Sequence, residues 1–75
     1  MNSPAPDPEN VRVGGLIRDL RKAKRLTQED LARSAGIRVR TVQYAETGQV
    51  APRLKTRKLV AAALGVPVEY FEAAS

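Results

Sequence analysis

The sequence predicts an all-α fold built from five short helices. Apolar residues recur at intervals of three and four positions, which is the spacing of an amphipathic helix. No segment alternates apolar and polar residues for long enough to indicate a strand. Three apolar segments end at a glycine, the residue that most easily adopts the left-handed conformation that closes a helix. With 75 residues the chain is long enough for one domain with a small core.

Residues 1–11 are predicted to be an extended or disordered tail that precedes a domain spanning residues 12–75. The tail contains three prolines, including Pro8, and almost nothing apolar that a core could bury. An arm that enters the minor groove of DNA would need several arginines. Asp7 and Glu9 oppose that use and only Arg12 favours it.

The first helix is predicted after this tail, because one apolar stripe runs along it (Val13, Leu16, Ile17, Leu20 and Ala23). A second helix is predicted to begin after Thr27, whose hydroxyl can accept from the Asp30 backbone amide as in a capping box. It is expected to turn Leu31, Ala32 and Ala35 inward and to end at Gly36.

Only Gly36 and Ile37 separate the second helix from a third, predicted over Arg38–Glu46 and ending at Thr47 and Gly48. So tight a connection between two helices indicates a helix-turn-helix. A fourth helix is predicted over Leu54–Leu64, ending at Gly65, and one or two turns of a fifth over residues 67–71.

Charge is concentrated in the middle of the chain. From Arg12 to Lys58 there are thirteen basic and four acidic side chains, a net charge of +9, whereas the two ends carry four acidic side chains and no basic ones. A basic body of this kind is typical of a protein that binds a polyanion, although many soluble domains are basic for solubility alone.

The third helix presents an unusual outward face. At about 100° per residue, Val42 and Ala45 point toward the second helix while Val39, Arg40, Gln43 and Tyr44 point away. A guanidinium, a carboxamide, a phenol and an apolar β-branched group are the types of side chain that can recognise base edges. The alternative is that Val39 and Tyr44 cover the core or contact a protein partner.

Taken in order, these segments resemble the Xre-type helix-turn-helix family, the five-helix DNA-binding domain of the lambda repressor and Cro group. The resemblance extends from about Val13 to Phe71 and rests on an ordered set of short motifs with matching spacing: Val13-Gly14, Ile17, Leu20-Arg21, Leu26-Thr27-Gln28, Leu31-Ala32, Gly36-Ile37, Thr41-Val42, Glu46, Gly48, Pro52, Thr56, Val60-Ala61 and Ala63-Leu64-Gly65-Val66. The expected function is a sequence-specific DNA-binding transcriptional regulator, in particular a repressor, in the bacterial cytoplasm or associated with a bacterial or phage nucleoid.

The resemblance also implies residue roles. The start of the third helix would enter the major groove, which assigns base reading to Val39, Arg40, Gln43 and Tyr44. The residues expected at phosphates are Gln28, Arg38, Thr41, Thr47, Gln49 and Arg53, with Gln28 assisted by the positive end of the second helix. Arg21 and Glu46 match positions of a structural ion pair and are therefore excluded from the base contacts.

Three departures from the family pattern carry structural expectations. Arg25 stands where a glycine is common, so the first helix would end without its easiest left-handed residue, at a cost of about 1 kcal/mol. Arg38 replaces a usual Ser or Thr cap, which removes a backbone partner worth about 1 kcal/mol. Arg57 occupies a position usually filled by Leu, so either its aliphatic stem lies along the core or the fourth helix is rotated.

A homodimer is expected, because two recognition helices related by a two-fold axis read a near-palindromic operator. Its predicted contact is formed by residues near the C-terminus that could equally be local core: Val66, Val68, Tyr70 and Phe71. The alternative function is a protein-interaction module on the same fold, of the antitoxin or anti-repressor type. With neither Cys nor His, we expect no enzyme, metal site or cofactor, and no membrane role.

Overall fold

The computed structural model describes residues 7–72, and the predicted tail therefore lies largely outside the described residues. Within this range there are four α-helices: α1 (Pro8–Ala23), α2 (Gln28–Ala35), α3 (Val39–Thr47) and α4 (Leu54–Leu64). A single 3-10 helix, Val68–Phe71, follows and is called the C-terminal turn below. The prediction of an all-α fold is confirmed, and the predicted fifth helix is this short turn.

The start of α1 corrects the predicted boundary of the tail. Pro8–Val11 is helical, because the Asp7 side chain accepts from the Glu9 amide (2.8 Å) and Pro8 stands in the first turn, where its missing N–H leaves no bond unmade. The extension also has tertiary contacts. Val11 lies against Gly48, and an Arg12 Nη2 donates to the Phe71 carbonyl at 3.0 Å.

The helix boundaries inside the domain follow local chemistry, as predicted. Thr27 Oγ1 accepts from the Asp30 amide and Asp30 Oδ2 accepts from the Thr27 amide, both at 2.9 Å, which completes the capping box. Gly36, Gly48 and Gly65 all have φ between 71° and 76°. Arg38 makes no capping bond with its side chain, as expected.

Arg25 adopts a left-handed conformation with φ of 59°. It is the second residue after α1, in the connection to α2, and its amide donates to the Lys22 carbonyl at 2.9 Å. The expectation that this connection uses a left-handed residue without a glycine is confirmed, and it carries the steric cost of a Cβ in that region.

The core lies where all four helices and the C-terminal turn meet. Its largest fully buried side chains are Phe71, Ile17, Leu31, Leu64, Val42 and Val60. Phe71 was predicted at a dimer contact, but it is only 1% exposed and belongs to this core. The other residues predicted there differ: Val66 and Val68 are half-buried against the core, and Tyr70 is 47% exposed.

Arg57 is accommodated without rotating α4. The helix buries Val60, Ala61 and Leu64, the stripe that the sequence predicted. The Arg57 side chain is half-buried, and its guanidinium reaches Glu72 Oε1 at 3.8 Å. Its Nε is buried without a hydrogen-bond partner in the described part of the chain. A buried donor without a partner destabilises the fold, and a leucine at this position would have no such group.

Candidate nucleic-acid interface

The outer face of α3 consists of three exposed polar side chains: Arg40, Gln43 and Tyr44. Within residues 7–72, none of them makes a side-chain hydrogen bond to the rest of the protein. Val39, predicted on the same face, is half-buried and packs partly against the core. The face can therefore offer a guanidinium, a carboxamide and a phenol to an external partner without breaking a side-chain hydrogen bond within residues 7–72.

The opposite face of α3 is fixed by the core and by α1. Val42 and Ala45 are buried, as the helical spacing predicted. At Gly14 the backbones of α1 and α3 come so close that a Cβ would stand 2.6 Å from the Glu46 carbonyl oxygen and closer still to that of Ala45. Gly14 belongs to the Val13-Gly14 motif of the family resemblance. This close approach explains why a glycine is needed there, since no other residue type lacks a Cβ.

A buried ion pair joins α1 to the end of α3. Arg21 Nε lies 2.6 Å from Glu46 Oε2, and Arg21 Nη2 donates to Glu46 Oε1 at 3.1 Å. Arg21 Nη1 also donates to the Leu26 carbonyl at 2.7 Å, and these bonds to Glu46 raise the pKa of Arg21 above its usual value. The placement of Arg21 and Glu46 as a structural pair is confirmed, and both are buried away from the outer face.

Gln28, predicted at a phosphate, is the first residue of α2 and is half-buried. Its Nε2 donates to Glu46 Oε1 at 3.0 Å, the oxygen that also accepts from Arg21 Nη2, so the side chain is attached to the ion pair. Sequence reasoning missed this bond. Its only trace in the sequence is that Arg21, Gln28 and Glu46 all belong to the motifs of the family resemblance.

The other residues predicted at phosphates lie around the ends of α3. Arg38, Thr47, Gln49 and Arg53 are exposed, and Thr41 is half-buried. Arg38 precedes the first turn of α3 and Arg53 that of α4, where the unpaired backbone N–H groups of each helix favour an anion. Thr47 uses its hydroxyl to donate to the Tyr44 carbonyl at 3.1 Å, which leaves its lone pairs unused.

The described residues offer little for other kinds of chemistry. Between residues 7 and 72 no three side chains of the His, Cys, Asp or Glu types come together in a group that could hold a metal ion. None of the helices there is both long and apolar enough to cross a membrane.

Comparison with known proteins identifies the same architecture. The model of a helix-turn-helix family matches residues 17–71. The restriction-modification controller protein C.AhdI from Aeromonas hydrophila is 32% identical, with a TM-score of 0.83 over 87% of this chain and 98% of that one. A hypothetical transcription factor from Neisseria, NHTF, is 26% identical, with a TM-score of 0.82 over 97% of this chain and 84% of that one.

A third similar structure is a complex with an operator. A mutant of C.Esp1396I bound to its highest affinity operator site is 25% identical, with a TM-score of 0.78 over 87% of this chain and 86% of that one. The comparison with curated proteins gives no match.

Proposed function

The chain belongs to the Xre-type helix-turn-helix family, and we propose from this premise that it is a sequence-specific DNA-binding transcriptional regulator. It inserts α3 into the major groove of a near-palindromic operator and acts as a dimer. Occupancy of an operator blocks other proteins from the same DNA, so we expect repression. The controller protein and the operator-bound structure described above support this class of function.

The observation that carries the proposal is the contrast between the two faces of α3. Val42 and Ala45 are buried, whereas Arg40, Gln43 and Tyr44 are exposed and make no internal side-chain hydrogen bond among residues 7–72. Arg can bond to guanine and Gln to adenine with two hydrogen bonds each. A helix face that meets only water does not need side chains with this ability. Val39, being half-buried, can offer only its outer methyl surface to a thymine.

Phosphate contacts would hold α3 in the groove. The proposed contacts stand at the start of α2 (Gln28), at the two ends of α3 (Arg38, Thr41 and Thr47), in the loop after α3 (Gln49) and just before α4 (Arg53). The net charge of +9 between Arg12 and Lys58 adds long-range attraction. Because each neutralised phosphate releases counterions, we expect affinity to fall steeply as salt concentration rises.

A dimer contact is proposed around Tyr70. Tyr70 is 47% exposed on the C-terminal turn. Val66 and Val68 would contribute their outer surfaces, while Phe71 supports the turn from within the core. Two recognition helices about 34 Å apart would then meet successive turns of one DNA face.

The direct test is selection of bound sequences from a pool of random duplexes at two salt concentrations. We expect enrichment of a near-palindrome that Arg40→Ala no longer enriches. Arg33→Ala is the matched control, because it also removes one positive charge but from an exposed position on α2 outside the candidate interface. If both variants weaken binding alike and no sequence is enriched, base reading by α3 is contradicted.

The same experiment separates the alternative function. A protein-interaction module of the antitoxin or anti-repressor type would retain little DNA at moderate salt and enrich no sequence. The exposed position of Tyr44, at 43%, fits either role, whereas the exposed Arg40 and Gln43 on the same helix and the basic middle of the chain favour DNA.

A further inference from the structure

One carboxylate, that of Glu46, connects the two helices of the helix-turn-helix. Glu46 lies on α3, the helix of Arg40 and Gln43, and its side chain is buried. Its Oε1 accepts both from Arg21 on α1 and from Gln28 at the first position of α2, at 3.1 and 3.0 Å. The ion pair by itself would need only Arg21, so the bond from Gln28 calls for a separate explanation.

Chemistry determines which way the Gln28 amide points. An ionised carboxylate accepts hydrogen bonds and cannot donate them, so only the NH₂ end of the carboxamide can face Glu46. One N–H of that NH₂ group donates at 3.0 Å, and the other has no acceptor within residues 7–72. The side chain is half-buried. A free glutamine would sample both amide orientations and several rotamers, and ordering it on binding would cost conformational entropy.

We propose that Glu46 is a positioning residue of the DNA interface. It holds the Gln28 carboxamide so that its second N–H donates to a phosphate of the operator. This inference rests on the proposed function and adds to it. Because Glu46 belongs to the base-reading helix, the same bond ties the phosphate contact of α2 to the position of α3 in the groove.

The first test uses the wild-type protein without DNA. Side-chain amide resonances of Gln28, Gln43 and Gln49 are compared by ¹⁵N NMR, with the exposed Gln43 and Gln49 as internal controls. We expect the Gln28 NH₂ group to show slower solvent exchange and restricted motion, and Glu46→Gln to reduce the difference, because the neutral oxygen of a glutamine is a weaker acceptor than a carboxylate. A Gln28 NH₂ group in the wild type that exchanges and moves like the two controls overturns the proposal, whatever the variant does.

The second test is a double-mutant cycle on operator binding with Gln28→Ala and Glu46→Gln. Loss of one hydrogen bond to a charged phosphate should weaken binding about tenfold in Gln28→Ala. Glu46→Gln should weaken it about threefold to fivefold alone and by less than about twofold in the Gln28→Ala background. All variants are measured at a temperature at which circular dichroism shows them folded.

A matched cycle uses Gln49→Ala, which removes another glutamine assigned to a phosphate but one with no bond to Glu46. Glu46→Gln should cost the same in this background as in the wild type. If it costs the same in the Gln28→Ala background too, Glu46 acts only through stability and the positioning role is wrong. If the wild type binds no DNA, the proposed function is wrong. The NMR comparison still shows separately whether Glu46 orders Gln28.

Discussion

The region where α1, α2 and α3 cross and the outer face of α3 differ in how their polar side chains are bonded. At the crossing, Gly14 allows backbone contact and the Arg21–Glu46 pair satisfies almost every polar atom internally. On the outer face, a few ångströms away on the same helix, Arg40 and Gln43 make no side-chain hydrogen bond within residues 7–72. The polar groups of the first region are bonded within the fold, whereas those of the second are left open to a partner.

Basic or polar residues of the same type therefore serve different roles in different parts of this small domain. Arg21 and Arg40 are both arginines on helices, yet one is buried in bidentate contact with Glu46 and the other is exposed. Substitutions should accordingly separate into those that change the free energy of unfolding and those that change DNA affinity. Gln28 and Glu46, which stand between the regions, should change both.

The largest effect is expected for Gly14→Ala. A Cβ at this position would meet backbone oxygen atoms of α3, which cannot move without displacing the helix, so we expect a loss of about 3 kcal/mol or more in unfolding free energy. Urea denaturation provides the measurement. The neighbouring Gly15→Ala is the control, because nothing lies within 4 Å of its Cβ and alanine favours a helix by about 1 kcal/mol. Equal stability of the two variants would contradict the close approach of α1 and α3.

The next effect is expected for Arg21→Ala, which leaves the Glu46 carboxylate buried without its charged partner. Breaking such a pair costs about 3–5 kcal/mol, so the variant should unfold at a much lower urea concentration. Arg33→Ala breaks the exposed pair with Asp30 (3.6 Å) and should cost less than about 1 kcal/mol. Similar losses in the two variants would mean that burial does not distinguish these pairs.

Arg40→Ala tests the other region. We expect operator affinity to fall by about 1–3 kcal/mol while the unfolding free energy changes by less than about 0.5 kcal/mol. Fluorescence anisotropy on the selected operator and on a scrambled duplex gives the first quantity, and urea denaturation gives the second. An unchanged preference between the two duplexes would remove Arg40 from the base contacts.

The smallest effect concerns Asp30, which closes the capping box beside Gln28. Hydrogen bonds from Thr27, chiefly from its backbone N–H, hold the pKa of Asp30 below its usual value. A carboxyl with a lower pKa in the folded state stabilises the protein above its unfolded pKa of about 4, and this contribution disappears as pH falls through the folded pKa. The difference in unfolding free energy between wild type and Asp30→Asn should therefore shrink on acidification. Thermal denaturation between about pH 6 and pH 2 measures it, and a constant difference would contradict the role of the cap.

Local signals made most of the fold predictable. The ends of α2 and α4 followed from Thr27, Gly36 and Gly65, since caps and left-handed glycines act over only three or four residues. The stripe of buried residues on α3 followed from helical spacing alone. The candidate interface was predictable as a face for the same reason, although its base and phosphate contacts stay predictions.

Apart from the Arg21–Glu46 pair, which the family resemblance implied, contacts between distant residues were not predicted. The proline-rich composition argued for a tail up to residue 11, whereas the Asp7 cap starts a helix there, and contacts of Val11 with Gly48 and of Arg12 with the Phe71 carbonyl attach it to the domain. Phe71 and Tyr70 are adjacent aromatic residues, and the direction of the C-terminal turn buries the first and exposes the second. The hydroxyl of tyrosine favours this choice, because a buried O–H needs a hydrogen-bond partner.

By itself, the sequence determined the helical class, the order and the ends of the inner helices, the basic body and the polar outer face of α3, because these depend on spacing, caps and charge along the chain. The tertiary structure alone decided which C-terminal aromatic enters the core, how Arg57 reaches Glu72, and that Gln28 is bonded to Glu46. Each of those features is a contact between residues far apart in the chain, and it exists only after the helices have packed.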